Sequence, residues 1–106
     1  MNRLEHLLVI LMEECDELSQ DTAKALRFGV HEQRDLPTSN AQRMNQEYND
    51  LAAVIGMINA EMHLQGGGAI FNNDADMARA KRKKVEKYLK YSEECGTLGP
   101  LTTPSR

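Results

Sequence analysis

The sequence predicts an all-α protein, made of a helical hairpin followed by a third helix. Apolar residues recur at spacings of three and four through three long segments, as they do on a helix with one buried face. Short clusters of Gly, Pro, Ser and Asn separate these segments. The chain has only five aromatic residues and no Trp, which favours a core of aliphatic and Met side chains between helices over a β-sandwich core.

Length and composition restrict the protein class further. A chain of 106 residues is long enough for one domain, which we predict over residues 1–95, followed by a flexible tail over residues 96–106. The net charge of −3 gives no bias toward nucleic acid. Two cysteines are too few for a disulfide framework, and no signal peptide or membrane span is evident. We therefore expect a cytoplasmic protein with no membrane partner.

The first helix is predicted to begin at Asn2 or Arg3 and to end at Phe28, where Gly29 stops it. At about 100° per residue, most of its apolar side chains share one side. This predicted apolar face consists of Leu4, Leu7, Leu8, Leu11, Cys15 and Leu18. Such a face needs a second helix to cover it.

The second helix is predicted over residues 41–64, after a connector that spans residues 29–40. Ser39 or Asn40 is a suitable N-cap for it, because a short polar side chain can accept the first free N–H groups. Three glycines at positions 66–68 end the helix and open a loop. Its predicted apolar face consists of Met44, Leu51, Ile55, Ile58 and Met62.

The third helix is predicted from a cap at Asn73 or Asp74 to about Glu94, with Gly96 as its stop. Two long helices and a shorter one cannot close a core alone, so we expect hairpins to pair in a homodimer, or a dimer of dimers, as a four-helix bundle. The residues expected to be left open for this pairing are Leu7, Leu11, Val54, Met57 and Ile58.

Two pairs of carboxylates stand out on the hairpin. Glu14 falls at the margin of the first apolar face and Glu17 just beyond it, whereas Glu47 falls within the second face and Asp50 on its flank. Carboxylates that converge between two helices repel one another unless a cation lies between them. The sequence therefore predicts a metal site, and a ligand set made only of oxygen favours Mg²⁺ or Mn²⁺.

These acids have two other interpretations. Acidic residues three apart are common on solvated helix surfaces, and Glu13 and Asp16 do point away from the apolar face. Di-iron and di-manganese bundles use Glu-x-x-His motifs, but His6, His31 and His63 do not stand at that spacing from the acids. Two pairs beside apolar faces on successive helices favour the oxygen-only metal site.

The third helix carries a basic run. Lys81, Lys84 and Tyr88 fall on one flank of its apolar side, and the lysines that point farther toward solvent are Lys83, Lys87 and Lys90. Such a run is often only a solvated face. Near a metal site it would suit phosphate groups, which need both divalent metal and ammonium partners. Nucleic-acid binding is not expected, because no nucleic-acid-binding motif accompanies the run.

The double acidic motif resembles that of the MazG-like, all-α nucleoside triphosphate pyrophosphohydrolase superfamily. That superfamily carries Glu-x-x-Glu on one helix and Glu-x-x-Asp on the next, and this chain has them at 14–17 and 47–50. Residues 13–18, 24–29 and 81–85 also resemble its small single-domain phage and bacterial members. The resemblance extends over about residues 4 to 92 and implies a MazG fold.

The resemblance implies hydrolysis of nucleoside triphosphates between the α- and β-phosphates, giving a monophosphate and pyrophosphate and clearing nucleotide pools. Mg²⁺, or Mn²⁺, would be held by the four carboxylates. Glu14 and Glu17 would be catalytic, with Glu17 preferred as the group that activates water.

Phosphate contacts are assigned to Lys81 and Lys84, with Lys24 and Arg27 as further candidates that are equally well explained as exposed helix charges. The candidates for base binding are His6, Asn49 and Tyr88. Two rival functions stay open. One is a non-catalytic helical interaction module, and the other is a related hydrolase that acts on phosphoribosyl-ATP or another phosphate ester.

Overall fold

The computed structural model describes residues 1–99 and contains, within that range, three helices and no strand. The helices are α1 (Arg3–Phe28), α2 (Asn40–Leu64) and α3 (Ala75–Glu94). The predicted all-α class is confirmed, and the predicted helix ends agree to within one residue. Of the predicted tail over residues 96–106, residues 100–106 lie outside the described range.

Each helix begins at a polar side chain that satisfies free N–H groups. At α1 the Asn2 side chain accepts from the N–H of Glu5 at 2.8 Å, and the Glu5 carboxylate accepts from the N–H of Asn2 at 3.3 Å. Ser39 and Gln42 form the same reciprocal pair at α2, at 3.1 and 2.8 Å. Asp74 accepts two N–H groups of α3. The predicted caps Ser39 and Asp74 are confirmed.

The helices end where glycine permits a backbone turn that other residues resist. Gly29 follows α1 with φ 114°, and Gly96 follows α3 with φ 79°. At the latter end the N–H of Gly96 donates to the Glu93 carbonyl at 3.0 Å, and the N–H of Thr97 donates to the Ser92 carbonyl at 2.9 Å. This pair of bonds is a Schellman motif and satisfies carbonyls that the helix leaves free.

The core lies between α1 and α2, which form an antiparallel hairpin. Leu7, near the start of α1, packs with Val54 and Ile58, near the end of α2. The side chains packed around these three are Leu4, Leu8 and Leu11. Burying one such side chain contributes roughly 1.5–3 kcal/mol, so this small cluster stabilises the pairing of α1 with α2.

One expectation about the core was wrong. Leu7, Val54 and Ile58 were predicted to be left open for a second copy, but they are buried within the hairpin, with Ile58 completely inaccessible. The facing helix of the same chain covers them. Met57 is exposed as predicted, because it points away from α1.

The chain divides into two compact units, one over Met1–Phe71 and one that starts at Asn72. In the first unit, Asn59 fixes the segment that follows α2: its amide donates to the Phe71 carbonyl at 2.8 Å and accepts from the Phe71 N–H at 3.0 Å. In the second unit, α3 has no buried residue. None of the described helices combines the length and apolarity needed to cross a bilayer.

Candidate functional site

The buried face of α1 contains an acidic residue. Its members recur at spacings of three and four and are all buried or half-buried: Leu7, Leu11, Glu14, Leu18, Asp21 and Ala25. Glu14 therefore lies within this face, and not at its margin as expected. Cys15, which was expected on the face, is exposed. Near the start of α1, Leu4, Leu8 and Leu11 pack on the core, whereas farther along the helix the covered positions are Glu14, Asp21 and Ala25.

The buried face of α2 likewise contains an acidic residue. Glu47 is half-buried one and two turns before the core positions Leu51 and Val54, and Asp50 is half-buried beside it. Both carboxylates are half-buried, and the distinction between the face for Glu47 and its flank for Asp50 stays a prediction. Each helix thus brings a carboxylate into the interface that its apolar residues form.

These carboxylates meet between the two helices. One oxygen from each of Glu14, Glu47 and Asp50 lies within 4.8 Å of the others. Glu17 is exposed at the edge of this group, close enough to Glu47 to interact with its carboxyl. The structure therefore brings together all four carboxylates that the sequence singled out. We call these four residues the acidic cluster.

The acidic cluster has an unusual protonation equilibrium. The hydrogen bond that Glu47 can make to Glu14, its burial, and the nearby charge of Glu17 together raise the pKa of Glu47 from 4.5 to about 8. At neutral pH its carboxyl therefore keeps a proton that an exposed glutamate would lose. When both groups are ionised, the buried Oε2 atoms of Glu14 and Glu47 have no donor among residues 1–99.

A residue that sequence reasoning missed holds Asp50 in place. The Gln46 amide donates to one Asp50 carboxylate oxygen at 2.9 Å. This contact leaves the second oxygen free for another partner. The signal was present in the sequence, because Gln and Asp four residues apart are neighbours on a helix surface.

The residues predicted to contact the base are all exposed. His6 is exposed on α1, eight residues from Glu14, or about 12 Å along the axis at 1.5 Å per residue. Asn49 is exposed, and its amide donates to the Asn45 carbonyl of its own helix at 2.8 Å. Tyr88 is exposed on α3. Their roles stay predictions.

The residues predicted to contact phosphate come from both compact units. Lys81 and Lys84 are exposed on α3, in the second unit. The Arg27 guanidinium lies over the Phe28 ring, 5.0 Å from its centroid. Lys24 lines a cavity of about 270 Å³ where α1, the connector and α2 meet. We call it the connector cavity, and its charged and polar lining residues are Lys24, Glu32, Arg34, Asn40 and Arg43.

No family model, curated protein or solved structure matches this chain. The side chains of the site are therefore the guide to what it could bind. Carboxylate oxygens are the ligands that Mg²⁺ and Mn²⁺ prefer. The acidic cluster offers three such oxygens within 4.8 Å of one another and two buried carboxylate oxygens without a donor. A divalent cation fits this set, because it would offset the repulsion and partner the buried oxygens.

Proposed function

We propose that this protein is a Mg²⁺-dependent hydrolase that cleaves nucleoside triphosphates between the α- and β-phosphates, releasing a nucleoside monophosphate and pyrophosphate. The observation that carries the proposal is the convergence of Glu14, Glu47 and Asp50 from two successive helices, with Glu17 at its exposed edge. The resemblance of the two acidic motifs to those of MazG-like pyrophosphohydrolases supplies the reaction class.

In this proposal the four carboxylates have different roles. Glu14, Glu47 and Asp50 would hold Mg²⁺, or Mn²⁺, which when bound neutralises charge on phosphate oxygens and lowers the pKa of bound water. Glu17 is solvent-accessible next to Glu47 and would accept the proton of the attacking water. Gln46 would keep Asp50 oriented toward the ion, as partners of ligand side chains commonly do.

A homodimer is part of the proposal. The first unit exposes large apolar side chains on both helices, including Ile10, Leu26, Met57 and Leu64. Pairing two hairpins as a four-helix bundle would cover part of this surface. Light scattering should give twice the chain mass at micromolar concentration, and Met57→Lys should shift the protein toward monomer. A fully active wild-type monomer would contradict this assembly.

The reaction is tested with a panel of ribo- and deoxyribonucleoside triphosphates, assayed for pyrophosphate release with Mg²⁺ or with a chelator. We expect release of pyrophosphate from at least one nucleotide, dependent on the metal. Release of inorganic phosphate instead would disprove the bond assignment. Adding phosphoribosyl-ATP and simple phosphate esters to the panel tests the related hydrolase activities.

The non-catalytic alternative makes a different prediction. An interaction module with surface acids should show no saturable Mg²⁺ binding at millimolar metal in isothermal titration calorimetry. We expect binding to the wild type and its loss in Asp50→Asn, because Asp50 offers a carboxylate oxygen to the acidic cluster. Absence of binding in the wild type would remove the basis of the enzyme proposal.

A further inference from the structure

The connector cavity differs from the rest of this acidic protein in its charge. Three cationic side chains line it, Lys24, Arg34 and Arg43, against one carboxylate, Glu32. The protein as a whole has a net charge of −3. The lining therefore concentrates positive charge in one concave place.

The carboxylate of the cavity is already occupied. Arg34 Nε lies 3.1 Å from Glu32 Oε1, and Asn40 Nδ2 donates to Glu32 Oε2 at 3.3 Å. The charge of Glu32 is thus matched by that of Arg34. Two positive charges, on Lys24 and Arg43, are left over.

The guanidinium of Arg43 is half-buried without an anionic partner among the described residues. It donates to the Thr38 carbonyl, to the Thr38 hydroxyl and to the Asn40 side-chain oxygen, which are all neutral groups. Charged groups that leave water are normally paired. Lys24 is exposed and also has no carboxylate within ion-pair distance among residues 1–99.

The first turn of α2 adds to the positive electrostatic potential in the connector cavity. The helix starts at Asn40, which lines the cavity, and its first turn contains no acidic residue to offset the positive end of the helix dipole. The N–H groups of Asn40, Ala41 and Gln42 are already bonded to protein acceptors. Any anion would therefore be held by the side chains of Lys24 and Arg43 more than by free backbone groups.

We propose that the connector cavity binds a phosphate group. A phosphate carries close to two negative charges at neutral pH, which matches the two unpaired cations better than a carboxylate does. The volume of about 270 Å³ lies just below the range of pockets that enclose drug-sized ligands. It is large enough for a phosphate or pyrophosphate group.

The test is a titration of ¹⁵N-labelled protein with inorganic phosphate in chelator, at constant ionic strength, followed by amide chemical shifts. We expect saturable shifts in the amides around Gly29 and Asn40. Lys24→Met should weaken binding by about tenfold or more, because a charge-assisted contact is lost. Lys24→Arg should retain most of it. Arg43 is not substituted, because its bonds to Thr38 and Asn40 also hold the connector.

The matched control is Lys83→Met, which removes the same charge from an exposed position on α3. It should leave phosphate binding by the connector cavity unchanged. Equal weakening by Lys83→Met and Lys24→Met would mean that phosphate responds only to net charge, and would overturn the proposal. Shifts that do not saturate, or that lie away from the connector, would also overturn it.

A second measurement identifies the source of the phosphate and rests on the proposed function. If the cavity holds the distal phosphates of the substrate, Lys24→Met should raise the KM for triphosphate and leave Mg²⁺ affinity unchanged. If the KM is unchanged while phosphate binding is lost, the cavity takes a free phosphate. Saturable phosphate binding by a protein without any Mg²⁺-dependent hydrolysis would keep this proposal and refute the proposed reaction.

Discussion

The two polar regions of the hairpin, the connector and the acidic cluster, differ in how their buried polar groups are paired. At the connector, the buried Asn40 side chain donates to the Gly29 carbonyl at 2.8 Å and to Glu32, and it accepts from Arg43. At the acidic cluster, Glu14 and Glu47 face each other with buried oxygens that have no donor in the described chain. The connector pairs its buried amide fully and gives Glu32 Oε1 an ion pair with Arg34, although that oxygen accepts no hydrogen bond. The acidic cluster has no cationic side chain paired with its two buried oxygens among residues 1–99.

This difference separates groups that specify the fold from groups that oppose it. A buried amide with all its partners contributes to stability and selects one connector conformation. Two carboxyls held together in a partly buried place reduce stability whenever both ionise. Sites that violate the rules of folding are where function is expected, so substitutions in the two regions should have opposite effects on stability.

The largest effect is expected on activity. Glu14→Gln should lower Mg²⁺-dependent turnover by at least about a hundredfold, because losing a ligand should cost more than losing a partner of a ligand, which typically costs 10–100-fold. The measurement is pyrophosphate release under saturating nucleotide. Glu13→Gln is the control, since this exposed neighbour points away from the cluster. Similar losses of turnover in both variants would show that the position of Glu14 on the buried face of α1 does not decide its role.

The next effect concerns stability at the connector. Asn40→Ala should lower the free energy of unfolding by about 1.5–4.5 kcal/mol, because three side-chain hydrogen bonds are lost at about 0.5–1.5 kcal/mol each. Urea denaturation measures it. Asn45→Ala, on the exposed side of α2, should stay within about 0.5 kcal/mol. A small effect at Asn40 would remove the contrast between the regions.

At the acidic cluster, a substitution is expected to raise the stability of the protein instead of lowering it. The pKa of Glu47 is about 8 in the folded protein and 4.5 without its neighbours, so between these values the folded state holds more protons than the unfolded state. Its contribution to stability is therefore present below pH 4.5 and is lost as pH rises through 8.

Replacing Glu47 by a residue that does not ionise should remove this loss of stability at high pH. In chelator, Glu47→Gln should melt a few degrees above wild type at pH 9 and differ less at pH 5. The check is the variant-minus-wild-type melting temperature across pH. Glu13→Gln should show no such trend. A Glu47→Gln protein that is equally destabilised at both pH values would indicate a structural role for the carboxylate.

The smallest effect is expected at Gln46, next to the acidic cluster. Gln46→Ala should weaken Mg²⁺ binding by up to about tenfold and leave the melting temperature of the metal-free protein nearly unchanged, because Gln46 only orients Asp50. Calorimetric titration gives the affinity. Gln20→Ala, an exposed glutamine on α1, provides the comparison. A large drop in metal-free stability in Gln46→Ala would show that the contact serves the fold.

The helices could be predicted from sequence because their signals are local. Ser39 and Asp74 cap helices through bonds to residues two or three positions ahead, and Gly29 and Gly96 end them through backbone angles that glycine adopts easily. The acidic pairs were also found, since carboxylates beside apolar faces are visible on an ideal helix. These features need no knowledge of the rest of the chain.

The remainder depends on which side of a helix its neighbour covers. Leu4 and Leu8 placed Cys15 on the predicted face of α1, and both do pack on the core, but farther along the helix Glu14 is covered and Cys15 is not. The role of Arg43 was also hidden, because its partners Thr38 and Asn40 adopt their positions only once the connector folds. Contacts of this kind are set by tertiary packing.

The connector also has a kinetic consequence. The bond between Asn40 and Gly29 closes a loop of only 11 residues, and loops of that size close in roughly 10–100 ns. Once it is made, α1 and α2 are adjacent and can zip from that end toward Leu7 and Ile58, in the manner of a protein with short-range topology. The carboxylates then meet midway along a hairpin that is already joined, so their repulsion acts late and should speed unfolding more than it slows folding.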